Sequence, residues 1–438
     1  MLASLTGKNI PVKKCTSFPV TDLNTLRIQM LNWVNRFGIF CFLDNLHYNF
    51  SIPAFECLVA AGSKRNIVAN AGNAFDQLRD FYSQEKGNWL FGHFGYDLKN
   101  ETEGLYSHHE DRVGFNDLHF FEPEWVLELN DREMKIYGEG DAGVVYSEII
   151  SCPATTRDGK HGKMILQHKI GKEDYISIIQ KLQQHILRGD CYEINFCQEF
   201  FATGVELDPL FIYQRLTQLS PNPFSVLYKV NDRFCLCASP ERYLKKTGNR
   251  VFSQPIKGTS KRNTGDKALD DAAKEYLVQS EKEKSENVMV VDLVRNDLSR
   301  ICRPGTVQVD ELFGLYSFPQ VHQMISTVSG ELEGPVDWID CIQATFPMGS
   351  MTGAPKKKVM ELIEKYEQTK RGLFSGAIGY VDPHGDFDFN VVIRSMFYNS
   401  EGKYLSFQTG SGITYYCNAA DEFDECLLKA EAMVNVLL

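Results

Sequence analysis

The feature that most constrains this chain is the rhythm of its apolar runs after residue 170, where strand-length and helix-length stretches alternate. Strand-like runs fall at 193–202, 224–230, 234–237, 323–332, 376–381, 387–397 and 404–408. Helical periodicity marks 172–187, 209–219, 268–279, 336–344, 356–366 and 421–437. In the first of these, Tyr175, Ile178, Ile179, Leu182 and Ile186 share one face. Several strands are separated only by short polar turns, at 382–385 and 398–403. A parallel crossover needs a dozen or more residues, so these turns allow only hairpins. The pattern predicts an α+β fold, with large, mostly antiparallel sheets and helices laid outside them.

The remaining sequence narrows the functional classes. The 46 basic and 57 acidic residues leave a net charge of −11 with no polybasic block, which argues against nucleic acid or an anionic membrane as main partner. Sequence hydropathy offers no transmembrane run, and residues 1–14 lack the apolar core of a secretory signal. Twelve scattered cysteines without a C-x-x-C pair read as buried thiols of a reducing cytoplasm. Residues 1–150 are less regularly patterned, with strand-like pieces at 38–43 and 89–96, and 154–163 is the candidate linker to a main region at 165–438.

Several constellations could carry chemistry. Glu283 and Glu286 lie three apart on one helical face, and Glu422 and Glu425 repeat the spacing near the start of the last helix. Two such pairs could hold a hard dication such as Mg²⁺, though each pair taken alone reads as a solvated surface feature, the acidic first turn of a helix, the second capped by Asn418. The small residues from Phe346 to Pro355, with Thr352 and Gly353, lead into a helix whose free amides suit an anionic group. Gly410 and Gly412 could bring backbone amides to an oxyanion. Arg394, inside an apolar strand-like run, calls for a carboxylate, from substrate or protein. Lys257, between Ile256 and Gly258, could lose its proton among apolar neighbours and become a nucleophile, or lie along the surface. Glu241 and His322 are lone acid–base candidates. Cys191 is the nearest approach to an amidotransferase nucleophile, and no nucleophile elbow, Rossmann fingerprint or zinc motif occurs.

Taken in order, these segments resemble the chorismate-utilising enzymes. The resemblance rests on Glu286-Asn287-Val288-Met289-Val290-Val291-Asp292-Leu293-Val294-Arg295-Asn296-Asp297, the Phe346–Pro355 run, 371–380, Ile393-Arg394-Ser395, 410–413 and Glu422-x-x-Glu425-x-x-x-Lys429. It covers roughly residues 170–435. Gln254-Pro255-Ile256-Lys257-Gly258-Thr259 resembles the aminodeoxychorismate-forming branch, component I of para-aminobenzoate synthesis, because the anthranilate-forming branch usually has alanine in place of Lys257. Isochorismate and salicylate synthases share the lysine but generally lack the G-S-x-T-G-A-P segment. The resemblance implies one large unit of two packed sheets in which residues 1–150 interleave with the rest. It further implies Mg²⁺ on the four glutamates, neutral Lys257 as nucleophile and Glu241 as the acid for the leaving hydroxyl. The substrate would be held by Gly258, Thr259, Thr352, Gly353, Tyr380, Arg394, Gly410, Gly412 and Lys429. His322 falls at the position taken as the base for pyruvate elimination in the anthranilate branch. Ammonia would come from a separate glutamine amidotransferase subunit. No clear L-L-E-S segment occurs at Phe42-Leu43-Asp44-Asn45-Leu46, which makes tryptophan control doubtful. A non-catalytic binder on the same scaffold would need neither the lysine nor the four glutamates.

Overall fold

Two sheets account for the strand-like runs. The computed structural model describes residues 15–48, 52, 54–155, 164–318, 321–334 and 336–438; most of the candidate linker, residues 156–163, lies outside them. Among the described residues, one sheet has twelve strands and the other ten, and the ladders that frame the site are antiparallel. Strand Ile39–Asp44 pairs with Phe224–Val230, and Leu90–Phe94 pairs with Ala377–Val381, so early and late residues share both sheets.

Burial explains why these strands read as unbroken apolar runs. In Ile39–Asp44, Cys41 packs into the core between the sheets, while Phe40 and Phe42 pack into the layer under the outer helices. A strand covered on both faces needs apolar residues at every position, and each large side chain so buried contributes about 1.5–3 kcal/mol. Where the sheets meet, the Tyr228 hydroxyl bridges Nδ1 of His93 at 3.1 Å and of His119 at 2.9 Å.

Helices Lys172–Leu187, Pro209–Leu219 and Lys356–Tyr366 occupy the stretches the periodicity predicts. Asp208 caps the second of them by accepting from the Leu210 and Phe211 amides, with Pro209 in the first turn. The helix expected from 336 begins instead at Trp338, because Asp337 and Asp340 form a reciprocal capping box. One expectation fails outright. The run at 387–397 is not one strand: Phe387–Asn390 belongs to the ten-stranded sheet and Ser395–Asn399 to the twelve-stranded one. The chain changes sheets between them, and Arg394 takes a left-handed φ of 50° there. Apolar continuity could not reveal the break, because Val391 and Val392 in the crossing are as buried as the strands. No helix among the described residues is long and apolar enough to cross a membrane.

Arg371 anchors the end of this scaffold that bears the cavity described below. Its guanidinium binds Glu367 twice, at 2.9 and 2.6 Å, and donates to the carbonyls of Met351 at 2.7 Å and Asn195 at 2.9 Å. Glu367 also accepts from the Cys197 amide at 2.9 Å. Both side chains are buried, and removing one partner of such a pair strands a charge. Glu367→Ala is expected to cost about 3–5 kcal/mol of unfolding free energy by urea titration. Asp271→Ala, which breaks the exposed pair with Lys267, should leave the midpoint unchanged.

Candidate active site

Lys257 reaches its position through a fault in a ladder. Strand Ile256–Lys261 pairs with Val321–Glu331, but the register slips between Ile256 and Thr259, so Lys257 and Gly258 together oppose Met324. Gly258 takes φ 94°, which a side chain would resist. Such a bulge re-aims a side chain, and here it sends Lys257 into a cavity of about 760 Å³. Across it stands Glu193, the first residue of strand Glu193–Thr203 in the other sheet. The Lys257 ammonium donates to Glu193 Oε1 at 2.7 Å. A Cβ on Gly412 would lie 2.5 Å from that oxygen and 2.8 Å from the lysine nitrogen. Gly412 is therefore glycine to admit the ion pair.

This contact corrects the expected apolar setting of Lys257. Burial alone would favour the neutral amine, but Glu193, Glu286 and Glu425 outweigh it and hold Lys257 protonated above the usual lysine range. Glu241 has the opposite setting. It is buried beside the cavity in a turn between two strands, and burial pushes its carboxyl up to about 7 against the pull of Ser350, Lys257 and the Ile256 amide. It is thus poised to carry a proton near neutral pH.

Helix Glu281–Ser299, capped by Ser280, packs over the bulged strand. Its Asn287 donates to the Lys257 carbonyl at 3.3 Å and accepts from Ser326 Oγ at 2.6 Å. Glu283 and Glu286 thereby face the cavity, and Glu425 reaches it from helix Ala419–Val436, which Asn418 caps. Glu422 is buried behind that surface and is not part of its lining. Burial raises Glu283, Glu286 (to about 7) and Glu422. Burial acts on Glu425 too, but Lys429, 2.8 Å away, and Lys282 and Lys257 together bring it below the usual range.

The four carboxylates suit a hard cation in kind. Glu286 Oε1 and Glu422 Oε2 are buried oxygens without a hydrogen-bond partner, an unstable condition for a carboxylate unless a cation completes it. The ammonium of Lys282 stands between the two pairs, 3.9 Å from Glu286 and 3.7 Å from Glu422. Among the described residues, no three acidic, imidazole or thiol groups converge as a closed ligand cage. The set is open, and Mg²⁺ tolerates openness because it keeps water and substrate oxygens in its shell.

The sheet crossing brings Arg394 to the cavity wall. Burial lowers its proton affinity, and among the described residues no carboxylate offsets this, so its fork is available to an anionic ligand. Gly258, Thr259, Gly410, Gly412 and Lys429 also line the cavity, with the Lys429 ammonium donating to the Gly410 carbonyl at 2.9 Å.

Four expected residues lie elsewhere. Tyr380 packs against Phe55, Trp89 and Phe91 and lines a separate cavity of about 40 Å³ with Asp388 and Asn390; its strand turns that face to the core. Thr352 is buried, and its hydroxyl is within reach of the Met348 and Gly349 carbonyls, each 3.3 Å away. Gly353, at φ 145°, acts at one remove: a Cβ there would strike the Glu193 carbonyl at 2.1 Å. His322 is fully buried with both ring nitrogens engaged, Nδ1 at 2.9 Å from Ser317 Oγ and Nε2 at 3.1 Å from Asp270. Strand alternation turns it away, and its neighbour Gln323 lines the cavity instead. Sequence reasoning also missed Glu193, Asn195, Lys282 and Ser350. The same strand carries Asn195, Gln198 and Glu199, so no local signal set Glu193 apart.

The model of the chorismate binding enzyme family matches residues 40–435. The chain is 35% identical over 313 residues to the chloroplastic aminodeoxychorismate synthase of Arabidopsis thaliana, covering 71% of this chain but only 34% of that protein. It is 32% identical over 366 residues to aminodeoxychorismate synthase component 1 of Bacillus subtilis, covering 83% of this chain and 69% of the other. Anthranilate synthase component I from Streptococcus pneumoniae superposes with a TM-score of 0.75 at 27% identity, covering 88% of this chain and 93% of that one. With a match that begins in the first sheet and ends in the last helix, the chain belongs to the chorismate binding enzyme family.

Proposed function

We propose that this chain converts chorismate and ammonia to 4-amino-4-deoxychorismate, as component I of an aminodeoxychorismate synthase. The observation that carries this reading is Lys257, aimed into the cavity by a bulge and paired with Glu193 at 2.7 Å. The similarity to curated aminodeoxychorismate synthases supports it.

The chemistry follows from the neighbours of Lys257. Arg394 binds the enolpyruvyl carboxylate, with Gly410 and Gly412 on the adjoining wall. Glu283, Glu286, Glu422 and Glu425 would hold Mg²⁺, which supplies positive charge for the ring carboxylate. Glu193 takes the proton that Lys257 must shed to become nucleophilic. The freed amine bonds to ring C2 as the C4–O bond breaks, and Glu241 protonates the departing hydroxyl, releasing water. Ammonia then bonds to C4 while the C2–N bond to Lys257 breaks, restoring the ring double bonds and the lysine. We propose a glutamine amidotransferase subunit as the source of ammonia.

Product identification from chorismate, ammonium and Mg²⁺ tests the assignment. Aminodeoxychorismate is expected from the parent and at least 100-fold less from Lys257→Ala; anthranilate as product would overturn the reading. Gly412→Ala should crowd the Lys257–Glu193 pair and cut turnover at least 10-fold while the protein remains folded by circular dichroism. Because Glu241 works as an acid with a value of about 7, kcat is expected to fall as pH climbs through that value. Its raised affinity means the folded state keeps the proton longer than the unfolded one. Stability is therefore lost between the ordinary glutamate range and about 7. Glu241→Gln should abolish turnover, yet its Tm relative to the parent should be more favourable at pH 8 than at pH 5.

A further inference from the structure

Gln323 is a polar group of the cavity wall that the reaction so far leaves unused. It sits in strand Val321–Glu331 opposite Thr259, two residues beyond Lys257 on the neighbouring strand. It is 2% exposed, lines the cavity, and its Oε1 is buried without a hydrogen-bond partner. A buried amide oxygen left bare is costly unless a ligand fills the vacancy, and a carbonyl oxygen can only accept, so the ligand must bring a donor. Chorismate carries one hydroxyl, which Glu241 serves. Lys257 donates to Glu193, so the donor left in the proposed reaction is the incoming nitrogen: ammonia first, and then the amine it becomes.

The residue type matters as much as its place. An imidazole exchanges protons near neutral pH, whereas an amide does not. The neighbouring imidazole, His322, is sealed off with both nitrogens engaged by Ser317 and Asp270. We propose that Gln323 is a positioning residue that accepts a hydrogen bond from the ammonia nitrogen and, being no base, leaves the proton on the amine-bearing ring carbon. Loss of that C4 proton to a base, with cleavage of the C3–O bond, would expel the enolpyruvyl group as pyruvate and make the ring aromatic. That elimination is redox-neutral, and the amide of Gln323 supplies no base for it. The inference rests on the proposed amination of chorismate and adds what decides where the reaction stops.

The test uses the whole protein with chorismate, ammonium and Mg²⁺, scoring pyruvate and p-aminobenzoate beside aminodeoxychorismate. Gln323→Met keeps the length but removes the acceptor. It is expected to raise KM for ammonium at least 10-fold while KM for chorismate and the Tm hold, and Gln323→Glu, which restores an acceptor, should recover the ammonium KM. Gln323→His is expected to release pyruvate and p-aminobenzoate in equal amounts without a lyase. An unchanged ammonium KM in folded Gln323→Met, or no pyruvate from folded Gln323→His, overturns the corresponding half of the inference. Pyruvate and anthranilate from the parent would instead overturn the proposed function itself.

Discussion

The Lys257–Glu193 ion pair is the contact around which this site is organised, because its two halves come from different sheets. Lys257 rides on the bulged edge strand of the ten-stranded sheet, and Glu193 opens a strand of the twelve-stranded sheet. Both charges are largely withdrawn from water, so their attraction is strong, and so is the penalty for separating them. Gly412 and Gly353 are glycines because the backbone must crowd against Glu193 to let the pair form. The pair also sets the electrostatic problem of the site: it keeps Lys257 charged, and the proposed attack requires that proton to leave.

Around that pair, the scaffold spends buried charge on positioning. Arg371 and Glu367 tie the carbonyls of Met351 and Asn195 to the same end of the cavity. Arg242, held by Asp388 at 2.9 and 3.0 Å, and by Gln254 at 2.7 Å, fixes the strand that follows Glu241. These cations are saturated by protein groups. Arg394 is the contrast, since among the described residues no carboxylate offsets its burial and it lines the cavity. The distinction separates an arginine that builds a wall from one that waits for a ligand.

Much of the architecture was legible in sequence because helices and hairpins announce themselves locally. Lys172–Leu187 shows its buried stripe in its spacing, and Asp208-Pro209 marks a helix start by capping chemistry. The glutamate pairs were legible for the same reason, since a three-residue spacing on a helix defines a face. The failures share a different cause. In residues 387–397, Asp388 and Asn390 alternate with Phe387 and Phe389, and Val391, Val392 and Ile393 continue the run without a turn signal, so nothing local told a strand from a passage between sheets. Tyr380 and His322 stand in strands buried on both faces, where apolar alternation no longer reports which side looks into the cavity.

By itself, the sequence determined the element types, the antiparallel character of the sheets and the family to which the chain belongs, because those depend on local periodicity and on ordered motifs. Only the tertiary structure decided that Gln323 and not His322 faces the cavity, that Arg394 sits at a crossing, and that Glu193 is the partner of Lys257. Those facts depend on a one-residue bulge and on the meeting of two sheets. A one-residue change of register reverses the face each side chain presents, and chain order carries no record of which strands will oppose one another across a cavity.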